Sequence, residues 1–134
     1  MLTLNIFSPE KKVLEGRRVS AVTLPGSEGQ IQVLPGHVAM VGTLETGVMS
    51  YQPEGEAAAR AAISTGFFEV AEDRVTLTVE TIEMSGEVDM ERAKRAQAKA
   101  EKMLQDATLE PQQFRKYELK LQRALIRQQT GAGI

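Results

Sequence analysis

The spacing of the apolar residues changes near Gly86, and this change divides the chain into two kinds of polymer. Before Gly86, apolar and polar side chains alternate over short runs, such as residues 2–7 and 74–80, and Pro, Gly and Asp recur between the runs. Short runs separated by close turns indicate a β sandwich or a small barrel. After Gly86, apolar side chains recur every three or four residues, and Gly is absent until the last four positions. This second pattern predicts helices.

The second part of the chain contains two helical segments joined by a short link. They are expected over about residues 88–106 and 111–129, and residues 131–134 are expected to fray. Asp89 suits the positive end of the first helix dipole, and Pro111 suits a first helical position. Because the link is short, the helices are expected to fold back as an antiparallel hairpin. Their apolar stripes comprise Ala93, Ala96, Ala100, Leu104 and Ala107 in the first helix and Phe114, Tyr117, Leu121, Ala124 and Leu125 in the second.

The charge of the chain divides at the same point. The first 86 residues carry eleven acidic and six basic side chains, whereas the remaining residues carry seven and ten. An alanine-rich interface buries little area, and isolated helices of about 18 residues are marginally stable in water. The hairpin therefore needs a further surface to pack against, and two interpretations stay open. In one, residues 84–87 act as a hinge and the hairpin switches between docked and extended states. In the other, the hairpin is permanently packed.

Several classes of function lack their residues in this sequence. Cys is absent, which removes disulfides and thiolate metal sites, and the single His37 follows Pro35 and Gly36, where it fits a turn better than a catalytic base. No phosphate-binding loop, calcium loop or distinctive carboxylate pair occurs, so we expect no enzyme, no catalytic residue and no metal site. Neither a signal-peptide pattern nor a long apolar run occurs, which predicts a soluble, cytosolic chain.

The second helix carries a basic face formed by Arg115, Lys116, Lys120, Arg123 and Arg127. An acidic protein surface is the partner that fits this face best. Nucleic acid is a weaker alternative, because the chain has a net charge of −2 and no aromatic residues interleave the basic positions. A further alternative is a stand-alone β-sandwich binding module whose helices form a dimerisation hairpin.

Three segments of the sequence carry a resemblance to a known family. Residues 22–37, VTLPGSEGQIQVLPGH, resemble the epsilon subunit of bacterial F-type ATP synthases. Residues 66–70, GFFEV, match a later segment of that family, and residues 88–93, VDMERA, are similar to the Ile/Leu-Asp-x-x-Arg-Ala motif that opens its helical hairpin. The resemblance covers the whole chain. It implies an α+β fold, with an N-terminal β sandwich of about ten short strands over residues 1–84 and a C-terminal antiparallel two-helix hairpin over residues 87–134.

The resemblance also implies a function and partners. The chain is expected to be a non-catalytic rotor subunit of the central stalk, held indirectly at the cytoplasmic face of the bacterial cell membrane by the complex. Its sandwich is expected to bind the gamma subunit and the ring of c subunits. Its extended hairpin is expected to meet an acidic segment of the beta subunits and to inhibit ATP hydrolysis. The c-ring contact falls on Ser27, Glu28, Gly29 and Gln30, and Gln30 replaces a common acidic residue, so an ion pair is not carried over.

Some bacterial members of that family bind ATP on the hairpin, which implies ATP as a regulatory ligand and no required cofactor. Asp89 and Arg92 match the family motif, and Val88 replaces its usual Ile or Leu. From the residues alone, Asp89 also fits a plain N-terminal helix position and Arg92 a solvated one. The positions that correspond to nucleotide contacts are Glu83, Val88, Asp89, Arg92, Ala93, Arg123 and Arg127.

Overall fold

The computed structural model describes residues 1–131, and the expected β sandwich followed by a two-helix hairpin is confirmed. These residues form nine strands, a short 3-10 helix and two α-helices. The elements are β1 (Leu2–Phe7), β2 (Lys12–Gly26), β3 (Gly29–Val33), β4 (Met40–Leu44), β5 (Gly47–Pro53), β6 (Ala59–Ile63), β7 (Gly66–Ala71), β8 (Arg74–Val79), β9 (Ile82–Met84), the 3-10 helix (Ser85–Glu87), α1 (Met90–Leu104) and α2 (Pro111–Gly131).

The strands wrap around one core because β2 takes part in both layers of the sandwich. Its first half pairs with β1, its second half pairs with β3 and β5, and its last residue reaches β4. The remaining pairs are antiparallel, except for the parallel pair of β1 with β8. The strand order along the sheet is β1-β8-β7-β4-β2-β5-β6-β9. We call this strand region the body.

Alternation along the strands fills the core, as the period of a half-buried strand requires. Leu2, Leu4 and Ile6 on β1 are all buried, and the residues between them are half-buried. On β2 the pattern departs from strict alternation. Val19 and Val22, which strict alternation places on opposite faces, are both buried, because the pairing with β5 shifts register between them.

The structure differs from the sequence expectations in three details of the elements. The nine described strands agree with the expected number of about ten, but β2 is not short, since it runs for 15 residues. The sequence does not predict β4 or β9. Gly131 is the last residue of α2, so it is not frayed, and the rest of the expected tail lies outside the described residues.

Local chemistry fixes the ends of the two helices. The Asp89 carboxylate caps α1 by accepting a hydrogen bond from the backbone N–H of Arg92 at 3.0 Å. In the link, the Asp106 carboxylate accepts hydrogen bonds from the Thr108 N–H at 2.9 Å and the Thr108 hydroxyl at 2.6 Å. Pro111 is the first residue of α2, a position that needs no N–H donor. The link is short, as expected, and α2 folds back to pack against α1.

The hairpin is compact and rests on the body through the C-terminal part of α2. This part of α2 contacts α1 on one side and β5, β6, β9 and the 3-10 helix on another. The two helices bury only small side chains, namely Ala93 and Ala100 of α1 and Ala124 and Thr130 of α2. Two expected stripe residues, Phe114 and Leu125, are exposed by 41% and 46%. The buried residues of α2 lie nearer its C-terminus than the apolar stripe predicts, because α2 packs against both a helix and a sheet edge.

Candidate functional site

A bidentate ion pair joins α2 to the last strand of the body. The Arg127 Nε donates to Glu83 Oε1 at 2.8 Å, and Arg127 Nη2 donates to Glu83 Oε2 at 3.1 Å. Both side chains are half-buried, with 26% and 30% of their surfaces exposed. The hydrogen bonds to Glu83 raise the pKa of Arg127, and the charges of Glu83 and Asp89 act in the same direction. Arg127 is therefore fixed in place by a carboxylate of the chain itself.

Basic side chains from both helices line a groove between α1 and α2. The groove has a volume of about 350 Å³, and its apolar lining includes Ala96, Ala100 and Ala124. Above Tyr117, the Lys120 Nζ lies 5.2 Å from the ring centroid, a cation–π distance. We call this the cationic groove, and its basic residues are Lys99, Lys120, Arg123 and Arg127. Arg127 is paired with Glu83, and the other three cations converge on one concave surface, which favours an anion with several charges.

A second, smaller cavity of about 180 Å³ lies between α2 and the edge strands β6 and β9. Glu83, Arg123 and Arg127 contribute its charged groups, while Ile63, Ile82 and Ile126 contribute apolar surface. The two arginines therefore separate this cavity from the cationic groove. Three of the residues expected to contact nucleotide, one from the body and two from α2, meet at this boundary.

The other four residues expected to contact nucleotide lie around the start of α1. Asp89 is the helix cap, and its charge acts on Arg127. Ala93 is buried between the helices, and Arg92 is exposed. Val88 is half-buried, and its Cγ1 is 3.0 Å from the position that a Cβ on Gly131 would take. The structure thus brings Glu83, Asp89, Arg123 and Arg127 into one neighbourhood, whereas the Arg92 side chain lines neither cavity.

Sequence reasoning missed Lys99, and assigned Lys120 to a different role. Both residues line the cationic groove. A spacing signal exists for each of them: Lys99 follows Arg92 by seven residues, and Lys120 precedes Arg127 by seven. Seven residues are close to two helical turns, so each lysine lies on the same side of its helix as the arginine. Neither spacing shows which face of α1 packs against which face of α2.

The expected basic face of α2 divides into two parts. Lys116, Lys120 and Arg123 are exposed, and helical geometry places them on one side together with Arg127. Arg127 is half-buried and paired with Glu83, so it does not offer a free charge to a partner in this compact arrangement. Arg115 lies off this side, in a shallow groove with Glu118, Leu119 and Gln122. On this side of α2, the exposed basic surface therefore comprises three of the five expected residues, without Arg115 and Arg127.

The turn between β2 and β3 projects Ser27, Glu28, Gly29 and Gln30 into solvent. Gly29 has a φ of 126°, a conformation that glycine adopts without strain. Thr43 of β4 anchors the turn, because its hydroxyl donates to the Ser27 hydroxyl at 2.6 Å and its carbonyl accepts the Ser27 N–H at 3.0 Å. The four residues of this turn are exposed but well positioned.

An exposed apolar surface lies beside this turn on β4 and β7. Val41 is 75% exposed and Phe67 is 65% exposed, and both line one shallow depression with Thr43. Thr43 pairs with Phe67 in the sheet, so the apolar surface adjoins the turn that Thr43 anchors. We call Val41, Thr43 and Phe67 the β4–β7 face. Exposed apolar side chains that cluster in this way mark an interaction surface.

Comparison with known proteins identifies the family. Residues 1–85 match the beta-sandwich domain of the ATP synthase Delta/Epsilon chain, and residues 87–130 match the long alpha-helix domain of the same chain. The chain belongs to the ATP synthase delta/epsilon family. The two matched regions meet at the 3-10 helix, where the body ends and the hairpin begins.

Curated relatives within the delta/epsilon family are ATP synthase epsilon chains. The epsilon chain of Trichlorobacter lovleyi is 43% identical over 129 residues, which cover 96% of this chain and 92% of the relative. The epsilon chain of Geobacter sulfurreducens is 39% identical with the same coverage. These identities extend through both the body and the hairpin, which supports the resemblance stated from three short segments.

Two solved structures show how widely the fold of this delta/epsilon chain is shared. A chain of the Euglena gracilis mitochondrial ATP synthase OSCP/F1/c-ring assembly superposes with a TM-score of 0.86 at 22% identity, covering 99% of this chain and 81% of that chain. A chain of the Tetrahymena thermophila central stalk and c-ring gives 0.62 at 15% identity, covering 99% and 96%. In residues 1–131, no helix is long and apolar enough to span a membrane. Within the same residues, no three acidic or histidine side chains lie close enough together to hold a metal ion.

Proposed function

We propose that the chain is a non-catalytic rotor subunit of an F-type ATP synthase and that its hairpin inhibits ATP hydrolysis when it leaves the body. The observation that carries this proposal is the unequal packing of the two parts. The body has a large apolar core, whereas the hairpin buries four small side chains. A part of the chain with so few buried apolar contacts opens at a lower free-energy cost than the core, so the hairpin can undock while the body stays folded.

The body supplies two surfaces for the rest of the rotor. The β4–β7 face fits the gamma subunit, because Val41 and Phe67 offer apolar area that a protein partner would bury. The adjoining turn of residues 27–30 fits the ring of c subunits, because it projects from the end of the sandwich on a rigid hairpin. This arrangement makes the association with the cytoplasmic face of the bacterial membrane indirect, through the complex and its ion-conducting ring.

The hairpin supplies the contact with the beta subunits. Lys116, Lys120 and Arg123 are exposed on α2 in the compact state, and undocking would add Arg127 to the same side. Four basic side chains on one helix face attract an acidic segment at long range and fix its register. Extension of the hairpin along gamma would thus place a positive surface against the catalytic subunits and restrain the rotor.

Removal of the hairpin tests this proposal directly. Truncation after Ser85 leaves all nine described strands of the body intact. We expect the reassembled complex to keep its subunits and its coupling and to hydrolyse ATP faster than the complex with the full chain. Unchanged hydrolysis would contradict inhibition by the hairpin. A full chain that fails to co-purify with the ATPase and instead dimerises would favour the stand-alone binding module.

A test of the gamma contact uses the β4–β7 face. Phe67→Asp places a charge where 65% of the aromatic surface is exposed, so the isolated chain should stay folded. We expect loss of binding to gamma in a pull-down assay, because a buried unpaired carboxylate opposes association. Val38→Asp is the matched control, since Val38 is 74% exposed but lies in the loop before β4. Equal binding by both variants would move the gamma contact elsewhere.

ATP is the ligand that we propose for the cationic groove. Its phosphates carry the charges that Lys99, Lys120 and Arg123 can neutralise, and both helices contribute to the site only when the hairpin is closed. A ligand present at a hundred times its dissociation constant stabilises the bound state by about 2.7 kcal/mol. Such binding would tip a nearly balanced hairpin roughly a hundredfold towards the compact state. Abundant ATP would then hold the hairpin down, and its depletion would release it.

Isothermal titration of the full chain with Mg-ATP tests this ligand. Arg123→Ala is expected to weaken binding about tenfold or more, because a charge-assisted hydrogen bond to phosphate is lost. Arg115→Ala removes the same charge from a position outside the cationic groove and should leave the affinity unchanged. Absence of heat at millimolar nucleotide would reject ATP as a ligand of this chain.

A further inference from the structure

The ion pair between Glu83 and Arg127 lies where undocking of the hairpin must begin. Glu83 is the central residue of β9, the strand that immediately precedes the 3-10 helix and α1. Arg127 belongs to the last turns of α2, far along the chain from Glu83. The pair therefore spans the point where the chain leaves the body and returns to it. Any separation of α2 from the body must break both hydrogen bonds.

The surroundings of the pair make it the most closely packed part of the docked hairpin. Ala124 is 2% exposed and Thr130 is fully buried. A Cβ on Gly131 would lie 2.6 Å from the Met90 Sδ, so the end of α2 approaches the start of α1 without room for a side chain. In contrast, the side chains at the opposite end of the hairpin, such as Phe114, remain largely exposed. Docking is concentrated around Arg127.

The family resemblance makes both Glu83 and Arg127 nucleotide contacts, but the geometry gives Glu83 a different role. Two nitrogens of the Arg127 guanidinium are already occupied by the two Glu83 oxygens. Glu83 is thus the internal counter-ion of Arg127, and a carboxylate beside the groove would repel phosphate. Arg123 has an exposed side chain in the same groove and remains available to an anion.

We propose that Glu83 and Arg127 form a latch that holds α2 on the body without help from a ligand, and that Glu83 positions Arg127 instead of contacting nucleotide. This inference rests on the proposed function only where it concerns nucleotide and the mobile hairpin. The latch sets the population of the docked state, and ligand binding in the cationic groove adds to it. Loss of either latch residue raises the fraction of undocked hairpin.

Hydrogen exchange of the full chain in nucleotide-free buffer tests the latch. Glu83→Gln and Arg127→Gln are each expected to speed exchange of the amides of residues 124–131 about fivefold, the size of effect that a partly exposed ion pair has on stability. The double variant should exchange at the rate of the single variants, because removing the second partner of a broken pair costs little more. Amides of β1 and β8 report whether the body stays folded.

Two outcomes of that measurement would overturn the latch. One is unchanged exchange in both single variants, and the other is a double variant whose acceleration is the product of the two single effects. Glu54→Gln is the matched control, since it removes the Arg18–Glu54 pair at 3.1 Å on the surface of the body. It should leave exchange in residues 124–131 at the wild-type rate.

Titration of Glu83→Gln with Mg-ATP separates the latch from a ligand role. As a latch residue, Glu83 affects affinity only through the docked fraction, so the variant should bind no more than about fivefold more weakly than the wild type. A loss of tenfold or more would make Glu83 a nucleotide ligand and overturn its positioning role. Absence of ATP binding in the wild type would reject the proposed ligand, while the exchange measurement would still decide the latch.

Discussion

The body and the hairpin of this chain are stabilised by very different amounts of buried apolar surface. Seventeen apolar side chains of the body form one buried cluster, and Leu, Ile, Val and Phe provide most of them. The hairpin buries three alanines and one threonine. Burial of a leucine side chain contributes roughly 1.5–3 kcal/mol, whereas an alanine methyl contributes about 0.8 kcal/mol. The body therefore has a large core of its own, whereas little apolar burial holds the hairpin that we propose can undock.

The same contrast appears in the polar contacts of the two parts. Ion pairs on the body, such as Arg17 with Glu56 at 2.7 Å, are at the surface and add little to a core that is already stable. The hairpin depends on its few specific contacts, because its apolar interface is small. The Gln128 amide donates to Gln97 at 2.6 Å, and Arg127 binds Glu83. Polar contacts therefore form a larger share of the interactions that hold the hairpin than of those that hold the body together.

The largest expected effect sharpens this contrast in the core of the body. Leu77 on β8 is fully buried, so Leu77→Ala should lower the free energy of unfolding by about 2–5 kcal/mol through lost burial and a cavity. Leu125→Ala on α2 should change it by about 0.5 kcal/mol or less, since Leu125 is 46% exposed. Urea denaturation followed by circular dichroism measures both. Similar losses in the two variants would mean that the hairpin belongs to the same core.

An intermediate effect is expected where α2 approaches α1 most closely. Gly131→Val places a side chain against Val88 and Met90, and the resulting overpacking should weaken docking by about 1 kcal/mol or more. Hydrogen exchange of residues 124–131 should accelerate, while amides of the body should not change. Gly86→Val is the matched control, because a Cβ at Gly86 meets no atom within 4 Å. Equal acceleration in both variants would point to hinge stiffness instead of packing.

The smallest expected effect concerns the link of the hairpin. The Thr108 hydroxyl and N–H lower the pKa of Asp106 below its ordinary value, so this contact supports the folded link above that ordinary value and is lost as pH falls through the lowered pKa. Thr108→Val should raise the pKa of Asp106 towards its ordinary value, whereas Thr108→Ser should keep it low. An NMR titration of the Asp106 carboxyl carbon measures this shift. An unchanged pKa in Thr108→Val would assign the effect to the backbone N–H alone.

The sequence predicts the fold class well because local patterns specify it. Alternation in β1 and β8 and the helical spacing after residue 87 each agree with the structure. The prediction fails where one strand serves two layers. The length of β2 and the register shift between Val19 and Val22 depend on pairing with β1 on one side and β5 on the other. No local pattern encodes two simultaneous partners.

The candidate site is predicted less completely, because it lies between elements that are distant in the sequence. Family resemblance points to Glu83, Arg123 and Arg127, and the structure brings these three side chains to one cavity. It does not reveal that Glu83 and Arg127 bind each other, nor that Lys99 joins the groove. Those relations depend on which face of α2 meets α1 and which meets the sheet edge. Exposure of Leu125, which the spacing predicts to be buried, has the same origin.

The amino-acid sequence by itself determines a β body, a basic helical hairpin and the family, because period, turns and motifs are properties of neighbouring residues. The tertiary structure alone decides where the hairpin rests and which charges are left free. The ion pair between Glu83 and Arg127, which are 44 positions apart in the chain, fixes Arg127 and leaves Arg123 exposed. Such a pair forms only after the body and the helices have been brought together, since its energy depends on distance and burial, not on sequence separation.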